Sequence, residues 1–321
     1  MPERLAALIR ENQPCVVLTG AGRRSFYDRA VNRRTPIGDE VILADNADVL
    51  PELESAFFQL IYIDPPFNTG KEQRRLTLET LPDVNGDRTG FKGQRYKTRL
   101  LAESSYRDVF DDYLAFLEPR LREAHRLLTQ SGTFYFHIDY REAHYCKLLL
   151  DEIFGRAGFL NEIIWAYDYG ARSKRRWPAK HDTILVYVKD SECYYFDSEA
   201  VDREPYMAPG LVTAEKAARG KLPTDVWWHT IVSPTGREKT GYPTQKPEGI
   251  LRRMVQASTR PDDWCLDFFA GTGTLGAVAA KLGRRYVLID SNPEAVRVMR
   301  ERFDYPAADG VSEAQAALNL F

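Results

Sequence analysis

Five short runs of almost uninterrupted apolar residues constrain this 321-residue chain more than any other feature: residues 40–44, 60–63, 133–137, 264–268 and 286–290. A run of this length without polar alternation reads as a strand buried on both faces. Such strands belong to a parallel sheet covered by helices on each side. The intervening segments have the spacing of those helices. Over residues 113–128, Leu114, Leu117, Leu121, Ala124, Leu127 and Leu128 share one stripe, with Gly132 as a stop signal. Residues 275–282 and 293–303 repeat the pattern after the last two strands. The alternation predicts a doubly wound α/β fold.

Two stretches interrupt it. Residues 71–106 contain Asn85-Gly86-Asp87, Thr89-Gly90 and Lys92-Gly93 with little periodicity, which reads as a long mobile basic loop within a first half spanning 1–164. Residues 165–243 hold one clear strand, Thr183 to Val188, with Cys193-Tyr194-Tyr195-Phe196 as a candidate pairing partner. The rest of that stretch is rich in Pro, Trp and charge, as in an inserted recognition lobe. Residues 244–321 then complete the first half's domain, and the Ala-rich tail after Asp304 is expected to fray or form a short helix.

Net charge is −2, so any affinity for nucleic acid must come from local charge. Lys71, Arg74, Arg75, Arg88, Lys92, Arg95, Lys97 and Arg99 form one basic run. Arg172, Lys174, Arg175, Arg176 and Lys180 form another, interleaved with Tyr167, Tyr169 and Trp177. A basic run is usually a solvated surface, but aromatic interleaving suits a nucleic-acid contact. No stretch approaches the ~18 apolar residues of a membrane span, and the N-terminus has no signal-peptide pattern. The four cysteines (Cys15, Cys146, Cys193 and Cys265) are widely spaced. With the five histidines they offer no metal-ligand pattern, which argues against a zinc site and a disulfide scaffold and for a reducing cytoplasm.

Two motifs carry chemistry. Phe268-Phe269-Ala270-Gly271-Thr272-Gly273-Thr274 follows the strand ending at Asp267 and opens a helix, where glycines let a ligand approach the backbone. It lacks both the dinucleotide fingerprint and the lysine of a phosphate loop. One strand later, Asp290 stands where a carboxylate can bind ribose hydroxyls; it could also cap the next helix, and one role does not exclude the other. Asp64-Pro65-Pro66-Phe67 ends the 60–63 strand. Two prolines stiffen the chain and leave carbonyls as acceptors, so Asp64 and the Pro65 carbonyl can together receive both hydrogens of an exocyclic amine. Phe67 can stack on a planar base. By itself the run is equally a capped turn leaving a sheet.

Together these motifs resemble the amino-methyltransferases of DNA modification. The Asp-Pro-Pro-Phe run precedes the Gly-rich turn by about 200 residues, the circularly permuted order of the β group in bacterial restriction-modification systems. The resemblance implies a Rossmann-like methyltransferase sheet with an inserted target-recognition region, and S-adenosyl-L-methionine as cofactor. Asp45 resembles the family's contact to the cofactor adenine, with Ala44 in place of a glycine. Tyr242-Pro243-Thr244-Gln245-Lys246-Pro247 resembles an element closing over the cofactor's methionine end, which assigns Thr244 and Lys246 to the cofactor. The same role is implied for Asp64, for Asp267 to Thr274, and for Asp290 and Ser291. The implied substrate is double-stranded DNA, read by the two basic runs. A homodimer and a cognate restriction endonuclease are implied partners.

Adenine N6 is a poor nucleophile because its lone pair is delocalised, so the implied site must position the nitrogen for direct displacement. The base must first leave the duplex. Asp at position 64 favours adenine N6, whereas the cytosine-N4 enzymes of the family more often have Ser there. Methylation of protein glutamine or RNA, and a catalytically silent DNA-binding subunit, are the remaining alternatives. Cys15, leading into Val16-Val17-Leu18, reads as a buried strand cysteine rather than a nucleophile.

Overall fold

A computed structural model of the chain describes residues 33–303, apart from 69–70, 83–87, 90–94, 109, 169, 171, 234–237, 241, 243 and 244. Between 71 and 108 the backbone is described, with the side chains of Arg95 and Lys97 alone. Cys15, Lys92, Thr244 and the 304–321 tail therefore lie outside the described residues.

In chain order the strands are β1 (Glu40–Leu43), β2 (Phe58–Ile63), β3 (Lys71–Pro82), β4 (Arg88–Thr89), β5 (Arg95–Asp108), β6 (Leu128–Ile138), β7 (Phe159–Ala166), β8 (His181–Val188), β9 (Val226–Trp228), β10 (Trp264–Asp267) and β11 (Arg285–Asp290). The helices are α1 (Asn46–Val49), α2 (Tyr113–Leu127), α3 (Ala143–Phe154), α4 (Ala214–Arg219), α5 (Glu248–Ser258), α6 (Thr274–Lys281) and α7 (Pro293–Arg302). The main sheet runs β1-β11-β10-β2-β6-β8-β7-β9. Its first five strands are parallel, as their unbroken apolar runs require. β8 runs antiparallel to both β6 and β7, and β9 is parallel to β7.

Side chains alternate between two cores. Ile61, Ile63, Phe134, Phe136 and Leu266 point to the face covered by α2 and α3, through Leu117, Leu121, Leu127, Cys146 and Leu150. Leu60, Tyr62, Tyr135 and Cys265 point to the face covered by α5 and α6, through Ile250, Leu251, Met254, Leu275 and Val278. Each such side chain, fully buried, contributes roughly 1.5–3 kcal/mol. Helix starts follow their caps: the Asp112 side chain accepts from the Ala115 N–H, and Asn292 caps α7 with Pro293 in its first turn. The cap is thus Asn292 and not Asp290.

Three sequence expectations are corrected. Residues 71–106 are not an irregular loop: β3, β5 and β4 make a three-stranded antiparallel sheet, paired from Lys71↔Asp108 to Pro82↔Tyr96. That ladder gives the backbone polar groups the partners an irregular segment would have to find in water. Within 165–243, β8 and β9 are built into the main sheet. Residues 193–196 do not pair as a strand; the Tyr195 N–H donates to the Ser131 carbonyl instead. Gly132 does not stop α2, which ends at Leu127 as the chain extends into β6. A Cβ there would stand 2.7 Å from Leu128 Cγ, so crowding explains the glycine. Cys146 and Cys265 are buried free thiols.

Candidate active site

Because β1, β11, β10, β2 and β6 are parallel, their carboxyl ends share one edge of the sheet. β10 and β2 are neighbours, with Cys265 opposite Leu60 and Leu266 opposite Ile61. From β10 the chain passes through α6 to β11 on one side, and from β2 through α2 to β6 on the other. The order reverses between them, and a crevice opens outside such a switch point. Two motifs about 200 residues apart in sequence therefore lie side by side.

A cavity of about 440 Å³ occupies the crevice. Asp64, Pro65, Pro66 and Phe67 line it after β2, and Asp267, Phe268, Phe269, Ala270, Gly271, Thr272 and Thr274 after β10. Asp290 and Ser291 line it after β11, Asp45 after β1, and Lys246 from the segment before α5. Gly273 lies just behind this wall, where an added Cβ would come within 2.8 Å of Met299 Cγ. Asn46, Phe116, Arg120, Tyr242 and Asn292 also line the cavity. None was marked as a site residue from sequence, although Phe116 and Arg120, one helical turn apart, were a readable polar-aromatic pair beside the α2 stripe.

Hydrogen bonds fix this frame. Tyr113 Oη donates to the Pro66 carbonyl at 2.5 Å, which locks the double-proline turn to α2. Asn68, at φ 51°, accepts from the Phe110 N–H and donates to Glu142. Arg120 Nε donates to Asn46 Oδ1 at 2.6 Å and its Nη2 to Asp45 at 3.2 Å, while Asn46 Nδ2 donates to the Phe268 carbonyl. Gly271 and Gly273 adopt φ 53° and 69°, the left-handed region that favours glycine. The Gly271 N–H donates to Asp290 Oδ2 and the Asn292 N–H to Asp290 Oδ1, each at 2.8 Å.

Lys246 Nζ pairs with Asp64 Oδ2 and stands 5.0 Å from the Phe67 ring centre. The other carboxylate oxygen, Asp64 Oδ1, is buried and has no hydrogen-bond partner among the described residues. Burial raises the Asp267 carboxyl well above its ordinary value. The Phe269 N–H pulls it down, the charges of Asp64 and Asp290 push it further up, and Lys246 opposes them. Burial likewise raises Asp290.

Behind Asp64 runs a buried chain of polar groups. Tyr62 Oη lies 2.9 Å from His137 Nδ1, His137 Nε2 lies 3.2 Å from Asp182 Oδ2, and Tyr167 Oη donates to Asp182 Oδ1. Burial opposes the charge on Asp182, but its bond with His137 and the nearby positive charge hold its carboxyl below the usual range. An ionised carboxylate only accepts, so His137 donates to it through Nε2. Burial, with Asp64, Asp267 and Asp182 nearby, keeps the Tyr62 phenol protonated.

A second cavity, of about 530 Å³, lies along the same edge, where β7 and β9 end and β8 begins. It shares Tyr242 and Lys246 with the first. Arg172 and Arg176 line it, while Lys174 and Arg175 are exposed on the same loop and Lys180 pairs with Asp168 at 3.3 Å. Lys71, Arg74 and Arg75 lie on β3, and Arg95 and Lys97 are exposed on β5. No group of three or more metal-ligating side chains occurs among the described residues. No described helix is long and apolar enough to cross a membrane.

Similarity to known proteins agrees with this geometry. DNA adenine methyltransferase YhdJ of Escherichia coli K12 is 30% identical over 281 residues, covering 84% of this chain and 85% of the relative. Type II methyltransferase M.HpaI of Haemophilus parainfluenzae is 29% identical over 267 residues, covering 83% and 74%. The fold resembles that of PvuII DNA methyltransferase, described as cytosine-N4-specific, with a TM-score of 0.56 and 14% identity over 88% of this chain and 92% of that one. It also resembles M1.HpyAVI in complex with SAM, with a TM-score of 0.53 and 20% identity over 83% and 98%. A family model described as DNA methylase, of the N6/N4 type, matches residues 58–301, from β2 into α7. The chain belongs to the N6/N4 DNA methylase family.

Proposed function

We propose that this DNA methyltransferase transfers a methyl group from S-adenosyl-L-methionine to the N6 amine of an adenine turned out of duplex DNA. The observation that carries the reading is Lys246, which lines both cavities and holds one oxygen of Asp64 while the other is buried without a partner among the described residues. A buried acceptor left unmade costs free energy, and an N–H donor from a bound base relieves it.

The first cavity fits the cofactor. Its volume suits a nucleoside-sized ligand. Phe116 and Phe269 offer rings to a purine, and Asp290 retains acceptor lone pairs for ribose hydroxyls beyond the two amides it already serves. An added Cβ at Gly271 would meet nothing within 4 Å, so the turn opens onto free space. When bound, S-adenosyl-L-methionine supplies a methyl group on a sulfonium. The chain's own residues do the rest: Asp64 Oδ1 and the Pro65 carbonyl accept the two amine hydrogens, and Phe67 stacks on the base. The Tyr62–His137–Asp182 chain keeps the wall behind Asp64 fixed. Positioning, rather than a strong base, supplies most of the rate.

The name of the adenine-specific relative and the acidic head of Asp64-Pro65-Pro66-Phe67 support N6 over cytosine N4. Arg172, Arg176 and the exposed cations beside them are the proposed phosphate contacts. Transfer of a tritiated methyl group to duplex DNA tests the reading. Asp64→Ala is expected to abolish transfer while calorimetry still detects cofactor binding; retained transfer would refute the role of Asp64.

A further inference from the structure

Trp177 has no place in the catalytic geometry. It is 95% exposed, the most exposed tryptophan among the described residues. Its neighbours Arg176 and Pro178 both line the second cavity, whereas Trp177 does not. The indole between them therefore stands in solvent beside that wall. Pro178 stiffens the chain after it. On the preceding side the Ser173 hydroxyl accepts from the N–H groups of Arg175 and Arg176, which closes a turn. A bulky ring is thus presented to solvent from a braced backbone.

The surroundings identify what it would meet. Arg172, Lys174, Arg175 and Arg176 precede Trp177 on the same loop and make it strongly positive, and all four are exposed. The cavity beside Trp177 leads to Lys246 and so to Asp64. A duplex laid on these cations would bring its base stack to the indole as its target base enters the cavity. Apolar and aromatic side chains fill gaps in a base stack because every base offers a ring face.

We infer that Trp177 is the wedge that occupies the space left by the flipped base and thereby holds that base out. The inference rests on the proposed DNA methylation. Trp177 would be a positioning residue, since it touches neither the reacting atoms nor the cofactor.

The test compares methyl transfer by wild type, Trp177→Phe and Trp177→Ala on two duplexes carrying the mapped target site. One has the target adenine paired; the other has an abasic position opposite it, which removes most of the cost of flipping. Trp177→Ala is expected to lose roughly 10- to 100-fold in kcat/KM on the paired duplex, the value of one base–aromatic stack. It should come within about threefold of wild type on the abasic duplex. Trp177→Phe should keep most activity on both. With 2-aminopurine at the target position, the fluorescence rise on binding should be strong for wild type and weak for Trp177→Ala. Equal activity of wild type and Trp177→Ala on the paired duplex would overturn the inference, as would an equal loss on both duplexes. Either result leaves the methylation reading standing if wild type transfers the methyl group. Failure of wild type to methylate either duplex would remove that reading and this one with it.

Discussion

Replacing Lys246 by Met removes the cation of the Asp64 pair while keeping a side chain of similar length. The pair is mostly withdrawn from solvent, with side-chain exposures of 13% for Lys246 and 18% for Asp64. Asp64 Oδ1 already lacks a partner, so the variant leaves both carboxylate oxygens without one among the described residues. Breaking one side of a fully buried pair costs about 3–5 kcal/mol. The remaining solvent contact places this case lower, at roughly 2–3 kcal/mol. For a chain of this size that lowers Tm by roughly 3–5 °C. Thermal and urea unfolding of the cofactor-free protein measure it. The double variant Lys246→Met, Asp64→Asn removes the stranded charge, so it should be more stable than Lys246→Met alone. Because Lys246 also orients Asp64, kcat should fall about 10- to 100-fold. If Lys246→Met costs less than about 0.5 kcal/mol, or the two substitutions simply add, the pair does not hold Asp64 as described.

The remaining expectations concern the Gly turn, the buried Asp267 and the basic rim. Gly271→Ala should cost about 1–2 kcal/mol for its left-handed φ and should weaken cofactor binding, because the new methyl enters open cavity; unchanged affinity by calorimetry would contradict this. Gly273→Ala should destabilise more, since overpacking against Met299 adds about 1–3 kcal/mol to the same strain; equal midpoints for the two variants would contradict it. Burial raises the folded pKa of Asp267, so the fold holds a proton that the unfolded chain releases near pH ~3.9. Stability therefore falls as pH rises from there through the folded value, and Asp267→Asn should lose that slope. A wild-type-minus-variant difference that stays constant from about pH 4 to pH 8 would refute the assignment. Arg172→Ala with Arg176→Ala should lower the slope of log affinity against log salt by about 0.9 for each phosphate no longer neutralised, measured by DNA binding at several salt concentrations; an unchanged slope would rule out phosphate binding by these two arginines.

Much of this architecture was legible before the structure. Continuous apolar runs identified β2, β6, β10 and β11 because strands buried on both faces have no polar alternation to confuse the reading, and the half-buried edge strand β1 carries the same kind of run. The motifs at the ends of β2 and β10 were visible as stiff or glycine-rich turns. What the residues alone did not show was their proximity, which follows from β2 and β10 being adjacent parallel strands. The small β3–β5–β4 sheet was missed because Leu76 and Leu78 are the only clean alternation in a charged segment. The three-residue β9 is too short to leave a pattern. The Tyr62–His137–Asp182–Tyr167 chain was invisible for another reason. Its four members come from β2, β6 and β8 and from just beyond β7, and sheet order alone brings them together. No spacing along the chain could have linked them.

The central claim is that Asp64, held by the Lys246 that lines both cavities, receives a hydrogen of an adenine amine. The most direct test is digestion of DNA methylated by the purified protein to nucleosides, followed by their identification by mass spectrometry. The account predicts N6-methyladenine, absent when Asp64→Ala replaces the wild type. N4-methylcytosine in its place, or N6-methyladenine undiminished in the variant, would contradict it.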